Sequence, residues 1–176
     1  NSIINNSMSE DAINFVKSEF KVLSSEITNT ISDAIDIDFG NGEIINTLFD
    51  KVGGDAIDLS GSNVHLKDIN AKNIFDKAVS AGEQTNLKIN NLEVSSSGIG
   101  IASKDSSNVY GNNIKILNCN SYDFAVYQKK SYFSGANLKI DQFLSCGLPL
   151  VQTGSDLILD GKKVRGKVVD IKKLYN

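Results

Sequence analysis

The chain has 176 residues, of which 40% are hydrophobic and 22% are charged, and its formal net charge at pH 7 is -3. This mild acidity argues against nucleic acid as a partner, because a polyanion requires a concentrated face of Lys and Arg. The apolar fraction argues against a disordered chain, and no apolar run approaches the roughly 18 residues that a membrane-spanning helix needs.

A short phrase recurs along the chain at an interval of 22 residues. Clear copies begin at Asp11, Asp33 and Asp55, and degenerate copies begin at Lys77 and Ile99. One position of the phrase is always apolar, and the position before it is always small. The apolar column consists of Ile13, Ile35, Ile57, Val79 and Ile101. A period of this length is typical of repeat proteins, in which each unit buries its apolar face against its neighbours.

We expect both columns to continue beyond the fifth copy. After a three-residue insertion they resume at Ala125 and Val126, and a further 25 residues brings Leu150 and Val151.

Within each unit, short stretches carry apolar residues at every second position, as in 64–66, 87–89 and 114–116. Period two indicates strands. Leucine-rich repeats share the period but need a leucine frame that no unit supplies, and helical repeats are longer. The sequence therefore predicts an all-β fold, a right-handed parallel β-helix of about six to seven coils, with coils about 4.8 Å apart.

The first repeat allows two interpretations. Ile13, Val16 and Phe20 fall at helical spacing behind an acidic start, which would suit a helix over the open end. The same stretch matches the phrase at residues 32–37 in register, and we therefore favour a first coil. Because the chain starts at Asn1 without Met, in what looks like the tail of a coil, we suspect a fragment or a processed form.

The repeat dissolves after Gly154. Residues 157–159, Asp160, Gly161 and Val164 predict a final strand and a tight turn. We interpret 155–176 as a capping segment of one domain that spans 1–176, with lysines that blunt the last sheet edge.

The two cysteines, Cys119 and Cys146, are 27 residues apart, which is one coil plus two positions. We favour buried free thiols. A disulfide is the alternative, and it would suit an extracellular protein.

The outer surface of the phrase carries the candidate functional residues. If Ile35 points inward, Asp36 and Asp38 point outward, and Asp58 stands directly over Asp36. Stacked carboxylates repel unless a cation, a shared proton or solvent relieves them. Continuing the register places Lys104 and Lys129 in one column. The ridge so defined comprises Asp36, Asp38, Asp58, Glu83, Lys104, Asp105, Tyr127, Lys129 and Lys130.

A solvated, salt-bridged surface is the alternative interpretation of this ridge. The single histidine, His65, lies in a strand without a neighbouring His or Cys, which argues for a surface residue rather than a metal ligand.

The phrases at 32–38, 54–62, 76–83, 100–107 and 126–130 resemble the right-handed parallel β-helix repeat proteins of the pectate-lyase-like superfamily. They are most similar to the bacterial β-helix regions that accompany spore-coat-kinase-like proteins. The resemblance covers residues 8–160 and implies the fold. The superfamily includes lyases, hydrolases, epimerases, phage spikes and adhesins. The chain lacks both the Asp-Pro-His-Asp motif of the mannuronan epimerases and the carboxylate series of the polygalacturonases.

From the ridge and the resemblance we expect an extracellular or cell-surface protein that recognises an extended polysaccharide or oligosaccharide and cleaves or modifies it. The expected catalytic residues are Asp36, Asp58, Lys104 and Lys129, and the expected substrate-binding residues are Asp38, Glu83, Asp105, Tyr127 and Lys130.

Two reaction types remain open. In a lyase, Asp36, Asp38 and Asp58 would hold Ca²⁺ against a uronate carboxylate, and Lys104 or Lys129 would abstract the neighbouring proton. In a hydrolase, two of the carboxylates would act as acid and as base or nucleophile. A non-catalytic spike, adhesin or scaffold module is the alternative function.

Overall fold

The computed structural model describes residues 1–175, and nearly all of its regular structure is β-strand. The strands are β1 (Ile3–Asn5), β2 (Asp11–Val16), β3 (Glu19–Leu23), β4 (Glu26–Thr30), β5 (Asp33–Asp38), β6 (Asn41–Val52), β7 (Ile57–Ser60), β8 (Asn63–Gly82), β9 (Asn86–Lys104), β10 (Asn108–Leu117), β11 (Tyr122–Tyr127), β12 (Asn137–Ser145), β13 (Leu150–Val151), β14 (Asp156–Leu159) and β15 (Lys162–Val164). A short 3₁₀ helix follows at Ile171–Leu174.

The strands pair in parallel from coil to coil and form three faces, which confirms the predicted all-β class. Face A consists of β2, β5, β7, residues 77–82 and 99–104, β11 and β13. Face B consists of β3, residues 41–45, 63–67, 86–90, 108–112 and 137–141, and β14. Face C consists of β1, β4, and residues 47–52, 69–74, 92–97, 114–117 and 143–145. The chain is thus a parallel β-solenoid of about seven turns.

The apolar column of face A lies inside the coil as predicted. Ile57 pairs with Ile35 on one side and with Val79 on the other, and Val79 pairs with Ile101. All four side chains are fully buried. Since successive side chains of a strand point to opposite sides of the sheet, the residue that follows each of these four along its strand points outward.

The predicted register is wrong at the sixth copy of the phrase. Ile101 pairs with Phe124 rather than with Val126, and Lys104 pairs with Tyr127 rather than with Lys129. The reason is the length of the corner before β11, which holds one extra residue instead of three. The predicted column shared by Lys104 and Lys129 therefore does not exist. The next step is confirmed, because Leu150 and Val151 pair with Ala125 and Val126.

Most corners between faces contain a residue with positive φ. Asn, Asp and Ser predominate there because their short polar side chains tolerate the left-handed region. Between faces B and C these residues are Ser24, Asn46, Asp68, Asn91, Asn113 and Gln142. At the carboxyl ends of the face C segments they are Asn6, Asn29, Lys51, Asn73, Ser96 and Asn118.

Two side-chain ladders, neither of which the sequence analysis found, run along the corner between faces A and B. An exposed ladder of amides joins Asn41, Asn63, Asn86, Asn108 and Asn137, in which each Nδ2 donates to the Oδ1 of the preceding coil. A buried hydroxyl ladder accepts backbone N–H groups at Ser62, Thr85 and Ser107. The hydroxyl ladder gives hydrogen-bond partners to backbone N–H groups that the corner would otherwise bury without them.

The first repeat and the final tight turn form as predicted. The first repeat forms β2 and β3 rather than a helix, and Phe15 stacks on Phe20 with ring centroids 4.6 Å apart. At the other end, β14 and β15 form an antiparallel hairpin through Asp160 and Gly161. Both turn residues have positive φ, as a two-residue type I′ turn requires.

The cysteines are free, but they are less buried than we expected. Cys119 is half-buried and Cys146 is exposed. Burial and the neighbouring Asp123 carboxylate raise the pKa of the Cys119 thiol to about 12.

Candidate functional site

The predicted ridge lies on the outer surface of face A, where one row of side chains runs from coil to coil. Its members are Asn14, Asp36, Asp58, Ser80, Ala102 and Ala125. Asn14 donates an Nδ2 hydrogen bond of 3.0 Å to Asp36, and Asp58 follows on the next strand. The row therefore changes from acidic to apolar along the rod, and the acidic part is half-exposed.

Crowding of carboxylates changes the ionisation of the acidic row. Partial burial, together with the negative charges of Asp38 and Asp58, raises the pKa of Asp36 to about 7. Burial and the charge of Glu83 raise the pKa of Asp38 as well. A considerable fraction of the Asp36 side chains is thus protonated at neutral pH, so that this carboxyl group can donate a proton.

Lys104 joins the ridge from two coils away. Its Nζ lies 3.8 Å from Asp58 Oδ1, and its side chain is 8% exposed. The chain of Lys104 passes over Gly82, where an added Cβ would lie 3.4 Å from Lys104 Cε. The missing side chain at Gly82 thus leaves the space through which Lys104 reaches the acidic row.

Ser80 occupies the outer position between Asp58 and Ala102. Its neighbours along the strand, Val79 and Ala81, point into the core. The Ser80 hydroxyl is fully buried, and within residues 1–175 it has no hydrogen-bond partner. A buried hydroxyl without a partner costs stability, and such a group at the edge of a charged cluster suggests a ligand or water as its partner.

A second column of face A was missed as a functional feature by the sequence analysis. Asp33 Oδ1 accepts the backbone N–H of Asp55, and Asp55 Oδ1 accepts that of Lys77. The Lys77 ammonium lies 3.1 Å from Asp55 Oδ1 and 2.5 Å from Asp76 Oδ2. Burial alone would lower the pKa of Lys77. The negative charges of Asp55 and Asp76 outweigh that effect, and the net pKa is raised. The sequence does contain a sign of this column, because Asp33, Asp55 and Lys77 are the first residues of successive copies of the phrase.

Three carboxylates of this region converge. One oxygen each from Asp33, Asp55 and Asp58 lies within 4.8 Å of the other two. The predicted Ca²⁺ ligands were Asp36, Asp38 and Asp58, and of these only Asp58 belongs to the converging set. Oxygen ligands at such separations suit Ca²⁺, but the Lys77 ammonium already offsets the charge of Asp55.

Lys129 lies at the apolar end of the ridge. Its Nζ is 4.4 Å from the centroid of the Tyr175 ring. Partial burial, with the charges of Lys104 and Lys77, lowers the pKa of Lys129. A lysine whose pKa is lowered has a larger neutral fraction and is a better general base.

Other predicted ridge residues contact the protein itself. Asp105 is 1% exposed, and its Oδ1 accepts the backbone N–H groups of Lys129 and Lys130 at 2.6 and 2.8 Å. Glu83 forms an ion pair with Lys130. Asp105 thus holds the corner that carries the two lysines.

The C-terminal segment covers the apolar end of the ridge. Val169, Ile171 and Leu174 pack on a cluster of outward-facing residues, and Tyr175 hydrogen-bonds the Tyr127 hydroxyl at 2.6 Å. The covered residues are Ile99, Ala102, Ala125, Tyr127 and Leu150. Tyr127, which we expected on an open ridge, is fully buried. No repeat pattern marks this segment, so its position over face A could not be predicted from the repeat.

Comparisons with protein-family models, with curated proteins and with solved structures find no match to this chain. The fold and the ridge therefore define the class of the protein, a parallel β-solenoid with a charged outer face. Over residues 1–175, the structure contains no helix that is long and apolar enough to cross a membrane.

Proposed function

We propose that this protein recognises an extended carbohydrate along the acidic part of face A and cleaves it there. The observation that carries the proposal is the convergence of Asp36, Asp58 and Lys104 beside the partnerless hydroxyl of Ser80. A row of hydrogen-bonding groups along a rod suits a polymer, because the same contacts recur from coil to coil.

The carboxyl groups favour a hydrolytic reaction. Asp36 and Asp58 occupy paired positions on adjacent strands, which lie about 4.8 Å apart. Retaining glycosidases place their two carboxyl groups about 5–5.5 Å apart. Protonated Asp36 would donate its proton to the leaving oxygen while Asp58 forms a bond to the anomeric carbon. Asp36 would then take a proton from water, whose oxygen displaces Asp58.

The lowered pKa of Lys129 supports a lyase as the second candidate. Lys104 is engaged by Asp58, whereas Lys129 has no acidic side chain within ion-pair distance among residues 1–175. Of the two expected bases, Lys129 is therefore the better one. In that reaction a Ca²⁺ ion bound by Asp33, Asp55 and Asp58 would hold a uronate carboxylate.

We also propose a family relationship and a cellular location for this protein. The recurring phrases support membership of the right-handed β-helix proteins of the pectate-lyase-like superfamily, near the β-helix regions that accompany spore-coat-kinase-like proteins. A polysaccharide ligand supports an extracellular or cell-surface location.

A non-catalytic spike, adhesin or scaffold is the competing function. The contacts of Asp55 with Lys77, of Asp105 with the backbone and of Glu83 with Lys130 favour it, because these charges already have internal partners. In that case the ridge would be a stabilised surface without chemistry.

Incubation with neutral and uronic oligosaccharides tests the three functions together. New reducing ends indicate hydrolysis, and unsaturated products indicate elimination. Hydrolysis should be lost in Asp36→Asn and in Asp58→Asn, whereas elimination should be lost in Lys129→Met. Glu93→Gln, which changes an exposed carboxylate paired with Lys115 on face C, is the control. If wild type neither binds nor cleaves any of these sugars, the scaffold function replaces the proposal.

A further inference from the structure

Face B carries an open groove that runs along the rod and is separate from the ridge. Its volume is about 750 Å³, and residues from six strands line it. One wall is the amide ladder from Asn63 to Asn137, and the other wall is a row of outward side chains in register. That row consists of His65, Lys88, Tyr110, Lys139 and Ile158.

The amide ladder offers regularly repeated hydrogen-bonding groups. A primary amide has two N–H donors and an oxygen with two lone pairs. Asn63, Asn86 and Asn108 each use one donor and one lone pair within the ladder. Each therefore keeps one donor and one acceptor for a ligand, repeated at the strand spacing of about 4.8 Å. A chain of hydroxyl-bearing units can use the same contact on every coil.

The charge of the groove is positive at its centre. Lys139 is paired with Asp141, and Asp156 at the far end is paired with Lys163. Lys88, which lies between His65 and Tyr110, is exposed and has no ion-pair partner in the described part of the chain. The groove thus offers one unpaired cation, Lys88, to a negatively charged group of a ligand.

The middle of the groove also holds a positioned aromatic ring. Tyr110 is 37% exposed, and its hydroxyl donates to Asp141 Oδ2 at 3.2 Å. The Lys139 Nζ lies 5.5 Å from the ring centroid and 3.3 Å from the same carboxylate oxygen. A ring held by two contacts loses little entropy when a sugar ring packs on it.

We propose that the groove of face B is a binding site for an extended anionic oligosaccharide, which contacts the amide ladder, Lys88 and Tyr110. The site lies on a different face from Asp36 and Asp58 and does not depend on their chemistry. It would let the protein hold a charged glycan chain whether or not the ridge acts on it.

The test uses two probes with one backbone, dextran sulfate oligomers and unsubstituted dextran oligomers, in calorimetric titrations of the whole chain. Wild type should bind the sulfated oligomer at least about tenfold more tightly than the neutral one, and added salt should weaken that binding. Lys88→Ala and Tyr110→Ala should each weaken it by about five- to tenfold. Lys115→Ala, which removes an exposed lysine from face C, should leave it unchanged.

Several outcomes would overturn the inference. They are equal affinity for the two dextrans, wild-type affinity in both groove variants, or a loss of affinity in Lys115→Ala as large as that in Lys88→Ala. Tighter binding of single-stranded DNA than of the sulfated glycan would assign the groove to another class of polymer. Circular dichroism of each variant establishes that the solenoid remains folded. Asn86→Asp is a further variant, which keeps the shape of the side chain but adds a negative charge that repels an anionic ligand.

Discussion

The Lys104 ammonium lies 3.8 Å from the Asp58 carboxylate although the two residues belong to strands two coils apart. The contact forms because the coil between them presents only Gly82 and Ser80 on that surface, and neither side chain blocks the long lysine stem. A repeat with a larger residue at either position would keep the charges in separate rows. The site thus depends on small residues at the places where the phrase degenerates.

The acidic row predicts a stability that depends on pH. Asp36 has a pKa of about 7 in the folded protein, against 3.8 as its ordinary value. Between about pH 4 and pH 7 the folded state therefore binds more protons than the unfolded state, and stability falls as pH rises through this window. Asp36→Asn removes this loss. We expect the variant to be more stable than wild type near pH 8, by an amount limited by solvent screening.

Urea unfolding at a series of pH values measures this difference. The advantage of Asp36→Asn over wild type should shrink as pH falls and vanish near about pH 4. Glu93→Gln, which removes an exposed carboxylate on face C, should not show that trend. An advantage for Asp36→Asn that does not depend on pH would show that crowding of carboxylates is not its cause.

The buried pair of Lys77 and Asp55 predicts a large effect of a single substitution. Their side chains are 5% and 6% exposed. Lys77→Met leaves the Asp55 carboxylate buried without its cation, which should cost about 3–5 kcal/mol of unfolding free energy. The double variant Lys77→Met/Asp55→Asn should recover most of that loss, because the amide oxygen can still accept the backbone N–H of residue 77.

Lys115→Met is the matched control for Lys77→Met. Its partner Glu93 is 48% exposed, and Lys115 itself is 43% exposed, so the change should cost no more than about 1 kcal/mol. Similar losses for the two lysines would contradict a special role of the buried pair.

The stacked core predicts a loss that spreads along the rod. Ile57 is fully buried between Ile35 and Val79. Ile57→Ala should lower the free energy of unfolding by about 2–5 kcal/mol, and Ile57→Val by about 0.5–1.5 kcal/mol. Because each coil is stabilised by its neighbours, hydrogen exchange should accelerate in β5 and β8 as well as in β7. Acceleration confined to β7 would contradict this coupling.

The sequence was sufficient for the solenoid and for the inward column because one period of 22 residues fixes both. Ile35, Ile57 and Val79 could be placed from spacing alone. The register failed at Phe124 because the corner between Leu117 and Tyr122 holds one extra residue, and the spacing of the phrase does not show the length of a corner. The amide ladder was recoverable, since Asn41, Asn63 and Asn86 recur at nearly the same period.

The candidate site was harder to predict for a physical reason. Spacing places Asp36 and Asp58 on one surface, but it does not show how far a flexible Lys104 side chain reaches across the coils. Nor does it show that Tyr127 lies beneath a segment from the end of the chain. Contacts of long side chains and of non-repeating segments follow from three-dimensional packing, which a repeat pattern does not describe.

The segment over face A gives the last prediction. Deleting residues 168–176 uncovers the apolar cluster of Ala102, Ala125 and Leu150, which are fully or almost fully buried in the intact protein. We expect the deletion to lower stability by about 2–4 kcal/mol and to create a site for a hydrophobic dye. Tyr175→Phe removes only one hydroxyl from the segment and should cost about 1 kcal/mol.

Deleting residues 168–176 also frees Lys129 from the Tyr175 ring. If the ridge binds carbohydrate as proposed, the shortened chain should therefore bind oligosaccharide more tightly than wild type. If the deletion changes neither the stability nor the binding of the dye, the segment does not cover face A in solution.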